Sequence, residues 1–328
     1  MRTFLTEDWG LRVPIIGAPM SPQAGGLLAG ALSNCGALGM LGIVQSADPV
    51  SSLRADVAAF HELAGDRPFG IGLIAWVLQA RPELLAAALE HRPFAVSISF
   101  GDAASYGERI RAAGAKLICQ VQDLESALAA EAAGADLIVA QGTEAGGHTG
   151  GVGTLPLLQL VLDAITVPVV AAGGIATGRG LAAVLAAGAQ GAWIGTPFLA
   201  AVEARNSERA RRQLLSAGAT ETVLTSAFDV AQGIPWPAQY RGRALQNSFT
   251  DRWHGHEQEL AGNQAARASL ESAVAAQDYG TAHLYAGQTV GLVQRVEPAA
   301  EIVRRIEAEA EARLNALPDL LARGILAQ

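Results

Sequence analysis

His148 is the residue best suited to move a proton, and it stands in a stretch built for close backbone approach. The segment reads Gln141-Gly142-Thr143-Glu144-Ala145-Gly146-Gly147-His148-Thr149-Gly150-Gly151. It follows the apolar run Leu137–Ala140, whose length and branched side chains indicate a buried strand. Glycine removes the Cβ that would hold a ligand off the main chain, so N–H groups there can reach an anion or a delocalised ring. An imidazole titrates near neutrality and suits proton transfer beside such a ligand. An ordinary glycine-rich turn with a solvated histidine has the same letters, so the rest of the chain must decide.

Two more glycine turns bear on the choice. Ala171-Ala172-Gly173-Gly174-Ile175-Ala176-Thr177-Gly178 and Trp193-Ile194-Gly195-Thr196 each end an apolar run. Unpaired N–H groups and the dipole of a following helix favour a phosphate at such turns. Plain barrel turns are also rich in glycine, but here two neighbouring turns carry the pattern together, which favours a phosphate site. Competing nucleotide motifs fail on context. Gly70-Ile71-Gly72-Leu73-Ile74-Ala75 lies within an apolar run instead of opening a helix, and the 173–179 turn lacks a Lys-Ser/Thr pair.

The elements that must position these turns repeat along the first two hundred residues. Eight apolar runs (Val13–Ala18, Ala37–Gly42, Phe69–Trp76, Phe94–Phe100, Leu117–Val121, Leu137–Gln141, Val167–Ala172 and Ala192–Leu199) alternate with alanine-rich segments. Helices are expected at Glu83–Glu90, Asp102–Ala113, Asp123–Ala133 and Gly178–Ala187, with Asp123 and Thr177 as N-caps. Gly114, Gly134 and Gly188 suit the residue after a helix end. Eight strand–helix units predict an α/β fold, a closed (β/α)8 TIM barrel, with its chemistry on the loops after the strands. Residues 203–280 break the pattern and predict a smaller, mainly helical cap over the mouth, its tryptophans shielding the site. Residues 1–202 and 281–328 then form the barrel, with a late helix over Ala299–Leu314.

Composition excludes several classes. The 328 residues are half hydrophobic, carry a net charge of −8 and include only two cysteines. The acidic balance argues against nucleic acid as a partner. There is no signal-peptide core and no uninterrupted span for a bilayer, so a cytoplasmic protein is expected, without membrane attachment, as a monomer or homodimer. Cys35 and Cys119 form no disulfide framework, and Cys119 lies in an apolar run that predicts a buried thiol. His254 and His256 lack partners at ligand spacing, so no metal site is expected.

A phosphate and a polarisable ring at one barrel mouth suggest FMN, and a resemblance becomes plain. Gly17-Ala18-Pro19-Met20, the Gln141–His148 loop, Ala171–Ile175 with Gly178-Arg179-Gly180, and Gly195-Thr196 occur in the order seen in nitronate monooxygenases. Tyr285-Ala286-Gly287-Gln288 resembles that family's late motif. The resemblance implies an FMN enzyme that uses O2 to turn an alkyl nitronate or nitroalkane into a carbonyl compound and nitrite, without NAD(P)H. It implies that Ala18, Pro19 and Met20 lie against the flavin ring and that Gln120 and Gln141 contact ring or ribityl chain. Gly146 and Gly147 would line the site, Gly173, Gly174, Gly195 and Thr196 would hold the phosphate, and His148 would be catalytic. Gly72 and Trp193 stand where many members have asparagine and glutamine, which removes two amides from the flavin's surroundings. An NAD(P)H-dependent quinone or enoyl reductase on the same FMN barrel is the alternative.

Other residues have plainer expectations. Glu144 is expected to hydrogen-bond backbone groups of its own turn, and His283, though close to the Tyr285 loop, is expected to have no special role. The arginines at 205–212 are expected to form a solvated helix face.

Overall fold

Along each barrel strand successive side chains point to opposite faces, so every second residue reaches the barrel centre. The computed structural model describes residues 1–43 and 47–318. All eight expected runs contain a strand: β1 (Ile15–Gly17), β2 (Gly39–Gly42), β3 (Phe69–Ile74), β4 (Ala95–Ser99), β5 (Lys116–Val121), β6 (Leu137–Gln141), β8 (Val169–Ala172) and β9 (Ala192–Ile194), with β7 (Gly147–Thr149) lying outside the barrel. The eight make one parallel sheet, in the order β1-β9-β8-β6-β5-β4-β3-β2. Its ends meet, because Gly17 N–H donates to the Leu38 carbonyl at 2.9 Å and Leu38 N–H to that of Ile15 at 3.0 Å. The chain is a TIM barrel.

Ile15, Leu41, Ile71, Val96, Leu117, Ile138 and Val169 face outward into the helix layer. Ile16, Met40, Ala95, Ile118, Leu137, Val139, Val170 and Trp193 face inward, where Leu5 and Trp9 join them. Each such large apolar side chain contributes about 1.5–3 kcal/mol on burial. Two residues further along the inner rows, the chemistry changes to Ser97, Ser99, Gln120 and Gln141, all buried. The barrel is greasy below and amide-lined at its mouth.

The helices follow the expected spacing. They cover Glu83–Glu90, Ala104–Ala112, Leu124–Ala132 and Gly178–Ala186. Asp123 accepts from Ser126 N–H at 2.7 Å, and Thr177 from Gly180 N–H at 3.4 Å. The last helix spans Ala299–Asn315 and buries Ile302, Val303 and Ile306 against the barrel. Two apolar runs overreach their strands, since Ala75–Ala80 and Thr196–Leu199 are helical. Pro197 suits the first turn of the second, where its missing N–H costs nothing. Residues 319–328 of the expected barrel segment lie outside the described residues.

Between residues 203 and 280 run the helices Glu208–Ser216, Ala227–Gln232, Ser248–Trp253, Glu257–Leu260 and Gln264–Ala276. They accompany strands β10 (Thr222–Thr225) and β11 (Arg241–Leu245). Phe228, Phe249, Trp253 and Leu270 give this region a core of its own. Trp253 therefore belongs to that core and does not shield the mouth. β11 pairs antiparallel with β10 on one side and with β7 on the other, Gly242 opposite His148. The histidine stretch, expected as a loop, is thus partly the third strand of a sheet shared with this region.

The arginines at 205–212 are not simply a solvated face. Arg205 Nη1 donates to the buried Asp56 carboxylate at 3.1 Å, and Arg211 donates to the carbonyls of Ala201, Val202 and Ala204. Among the described residues no helix is long and apolar enough to cross a membrane.

Candidate active site

At the mouth, β6 delivers Gln141 into a chain of amides. The Gln120 and Gln122 side chains donate to Gln141 Oε1 at 2.8 and 2.9 Å, and Gln141 Nε2 donates to the His148 carbonyl at 3.1 Å. Buried amides carry a cost unless paired, so this chain ties β7 rigidly to the barrel rim. Gln120 and Gln141, both anticipated, are brought together here. Gln122 adds the third member.

His148 is clamped from the other side. Its Nε2 lies 2.9 Å from Asp229 Oδ2, and both side chains are at least nine-tenths buried. Trp236 stacks flat on the imidazole, with ring centres 3.5 Å apart and planes 9° from parallel. Phe100 and Trp76 meet Trp236 edge-on at 5.1 and 5.2 Å, and Phe100 also touches Tyr240. Phe100 ends β4 at φ +61°, a strained conformation for a side chain of this size. Such strain persists at sites that need one side chain in one place.

Tyr285 approaches the imidazole at 5.6 Å and His283 approaches Tyr285 at 5.3 Å. Burial, and then the Asp229 charge, raise the Tyr285 phenol well above its ordinary value. Burial lowers the His283 imidazole, and Asp229 opposes that shift. His283, expected to have no special role, thus stands beside Tyr285 and Asp229.

The glycine turns after β8 and β9 are built locally. Gly174 has φ +71°, and a Cβ there would meet only Glu144 Cβ, at 3.8 Å. Gly173, at φ +95°, packs on Thr154 Oγ1, which lies 3.1 Å from its carbonyl oxygen. Thr196 Oγ1 accepts from Gly287 N–H at 2.9 Å, which leaves its own proton free to donate. Gly195 faces Met20 Sδ and Ala18 Cβ. Met20 and Ala18 thereby join the turn after β9, while the Pro19 ring covers Gly72, leaving no room there for a side chain.

Other anticipated residues serve the frame. Gly146 packs against the Ala286–Gly287 backbone, a Cβ falling 2.5 Å from Ala286 C, so its bare Cα admits the late loop. Gly147 has φ +71° and nothing within 4 Å of a Cβ position. Trp193 lies in the barrel interior with Val170 and Ala172. Glu144 reaches beyond its own turn, accepting from Thr154 N–H at 2.9 Å and Thr154 Oγ1 at 2.9 Å, at the start of the helix Thr154–Ala164. Arg243, buried, donates from Nε to the Thr143 carbonyl at 2.8 Å.

Asp229 is the member that sequence reasoning missed. Its signal was a single carboxylate within the apolar run Ala227-Phe228-Asp229-Val230-Ala231. A buried acid in such surroundings needs a partner.

Comparison with known proteins agrees with this geometry. The family described as nitronate monooxygenase matches residues 81–309. A nitronate monooxygenase of Paraburkholderia phytofirmans is 32% identical, with 94% of this chain and 95% of that one covered. FabK from Thermotoga maritima superposes with a TM-score of 0.85 at 29% identity, covering 98% of this chain and 99% of that one. A nitroalkane oxidase from Streptomyces ansochromogenes superposes at 0.79 with 31% identity, covering 94% and 98%. Sharing a third of its residues with that relative over nearly its full length, this chain belongs to the nitronate monooxygenase family of flavin-dependent oxidoreductases.

Proposed function

We propose that this enzyme binds FMN and uses O2 to oxidise alkyl nitronates to carbonyl compounds and nitrite, with no requirement for NAD(P)H. The observation that carries the reading is one imidazole, His148, fixed by Asp229 on the segment after β6, on a barrel whose β8 and β9 end in glycine turns. The residues present fit the flavin. The space beside Gly174 is one that a Cβ would enter, and Thr196 keeps a hydroxyl proton for a phosphate oxygen. Gly173, Gly174, Gly195 and Thr196 hold the phosphate in this reading, Gln120 and Gln141 meet the ring or ribityl chain, and Ala18 to Met20 border the ring. Bound FMN supplies the redox chemistry between nitronate and O2.

The chain's own residues do the rest. The protonated form of His148 and nearby N–H groups hold the nitronate oxygens, where fixed donors out of water act most strongly on an anion. With a neutral nitroalkane the imidazole accepts the α-proton. Trp236, Phe100 and Trp76 exclude water around it. The barrel carries the cofactor in this reading, and residues 203–280 close over it as a cap.

A pyridine-nucleotide-dependent reductase is the second reading, favoured by the likeness to FabK. The yellow holoenzyme, mixed anaerobically with a nitronate, is expected to bleach within the turnover time and to stay oxidised with NADH. Rapid bleaching by NADH alone supports the reductase instead.

A further inference from the structure

We infer that Asp229 is the positioning residue of this site: it fixes His148 through Nε2 and so makes Nδ1 the atom that takes the substrate proton. This rests on the function proposed above and adds to it a residue, a tautomer and a reacting atom.

The argument starts from the carboxylate. Asp229 Oδ2 lies 2.9 Å from His148 Nε2, the Tyr285 phenol also bears on this carboxylate, and Oδ1 is buried. A buried carboxylate is costly unless a positive or donating group faces it. The groups around it are His148 from β7, and His283 and Tyr285 from the late loop. Burial raises the phenol and pushes His283 toward its neutral form, so neither supplies a cation. His148 is the partner whose ring nitrogen lies within hydrogen-bond distance of Oδ2.

The Asp229 oxygen that faces Nε2 accepts the Nε2–H, which in a singly protonated ring leaves the lone pair on Nδ1. No hydrogen bond occupies Nδ1 among the described residues, and the stacked Trp236 covers a ring face, not that edge. A neutral nitroalkane presented there loses its α-hydrogen as a proton. The C–H bond breaks, an Nδ1–H bond forms, and the electron pair left on carbon becomes the C=N bond of the nitronate. The imidazolium so formed faces the Asp229 carboxylate, which stabilises it without taking the proton. Asp229 comes from the helix Ala227–Gln232, 81 residues along the chain from His148, so the base is assembled only when that helix is seated.

Nitrogen NMR of the holoenzyme, with His148→Asn to assign the ring, tests the tautomer directly. The expected spectrum has the proton on Nε2 in wild type and a mixture in Asp229→Asn. A wild-type ring protonated on Nδ1 overturns the inference, whatever the enzyme's substrate. Steady-state kinetics give the second arm. In Asp229→Asn, kcat/KM for a neutral nitroalkane is expected to fall about 100- to 1,000-fold, and for its preformed nitronate about tenfold. The isotope effect with an α-deuterated nitroalkane should rise, and Asp229→Glu should restore part of the loss. Equal losses on both substrates, or none, overturn the positioning role. Wild type inactive on both overturns the proposed function and leaves the tautomer result to stand or fall on its own.

Discussion

The two sides of the barrel mouth are built in opposite ways. The side proposed to hold the phosphate uses turns between neighbouring elements, Gly173-Gly174 after β8 and Gly195-Thr196 after β9. The histidine side is assembled across long separations, with Asp229 on His148, Gly242 paired to His148, and Trp236 on the ring. Local turns make a binding surface that each segment specifies for itself. Long-range contacts make a reactive group whose position depends on how the 203–280 region seats on the barrel.

Substitutions on each side sharpen that contrast. His148→Asn should keep FMN, as judged by the visible spectrum, and lose about a thousandfold in turnover with a neutral nitroalkane. Gly174→Val adds a side chain in the cradle at φ +71°. Backbone strain of about 1–3 kcal/mol there should weaken FMN about 10- to 100-fold in an equilibrium titration. The intrinsic rate of protein reloaded with excess FMN should change little. Gly242→Val places a Cβ 2.7 Å from Tyr285 Cε1 and 3.5 Å from His148 Cε1. Overpacking of about 1–3 kcal/mol should shift the imidazole and lower turnover about tenfold, with FMN affinity kept. If Gly242→Val releases FMN as readily as Gly174→Val does, the two sides are not independent. Cys119 serves neither side. Burial pushes its thiol up to about 12, so at pH 8 it stays protonated and should resist iodoacetamide in the folded enzyme.

The same contrast explains what the sequence made legible. The barrel, its eight strands, the caps at Asp123 and Thr177 and the turn glycines are set by period and local chemistry, which a single sequence displays. Gln120 and Gln141 lie on inner rows of strands, so parity alone aims them at the mouth. β7 escaped notice because three residues form a strand only when β11 comes to pair with them. Gly146 has a bare Cα for Ala286 and Gly287, which lie 140 residues further on, so its reason could not be read locally. Arg205 matched a charged helix face by spacing, but its partner Asp56 belongs to another helix altogether. Asp229 was visible only as an acid out of place.

Oxygen uptake by the yellow protein with an alkyl nitronate, in the absence of any pyridine nucleotide, tests the central claim most directly. The expected result is steady O2 consumption with nitrite released alongside the carbonyl product, abolished or cut severely in His148→Asn at equal FMN content. No oxygen uptake by wild type until NADH is added, or full activity in His148→Asn, contradicts it.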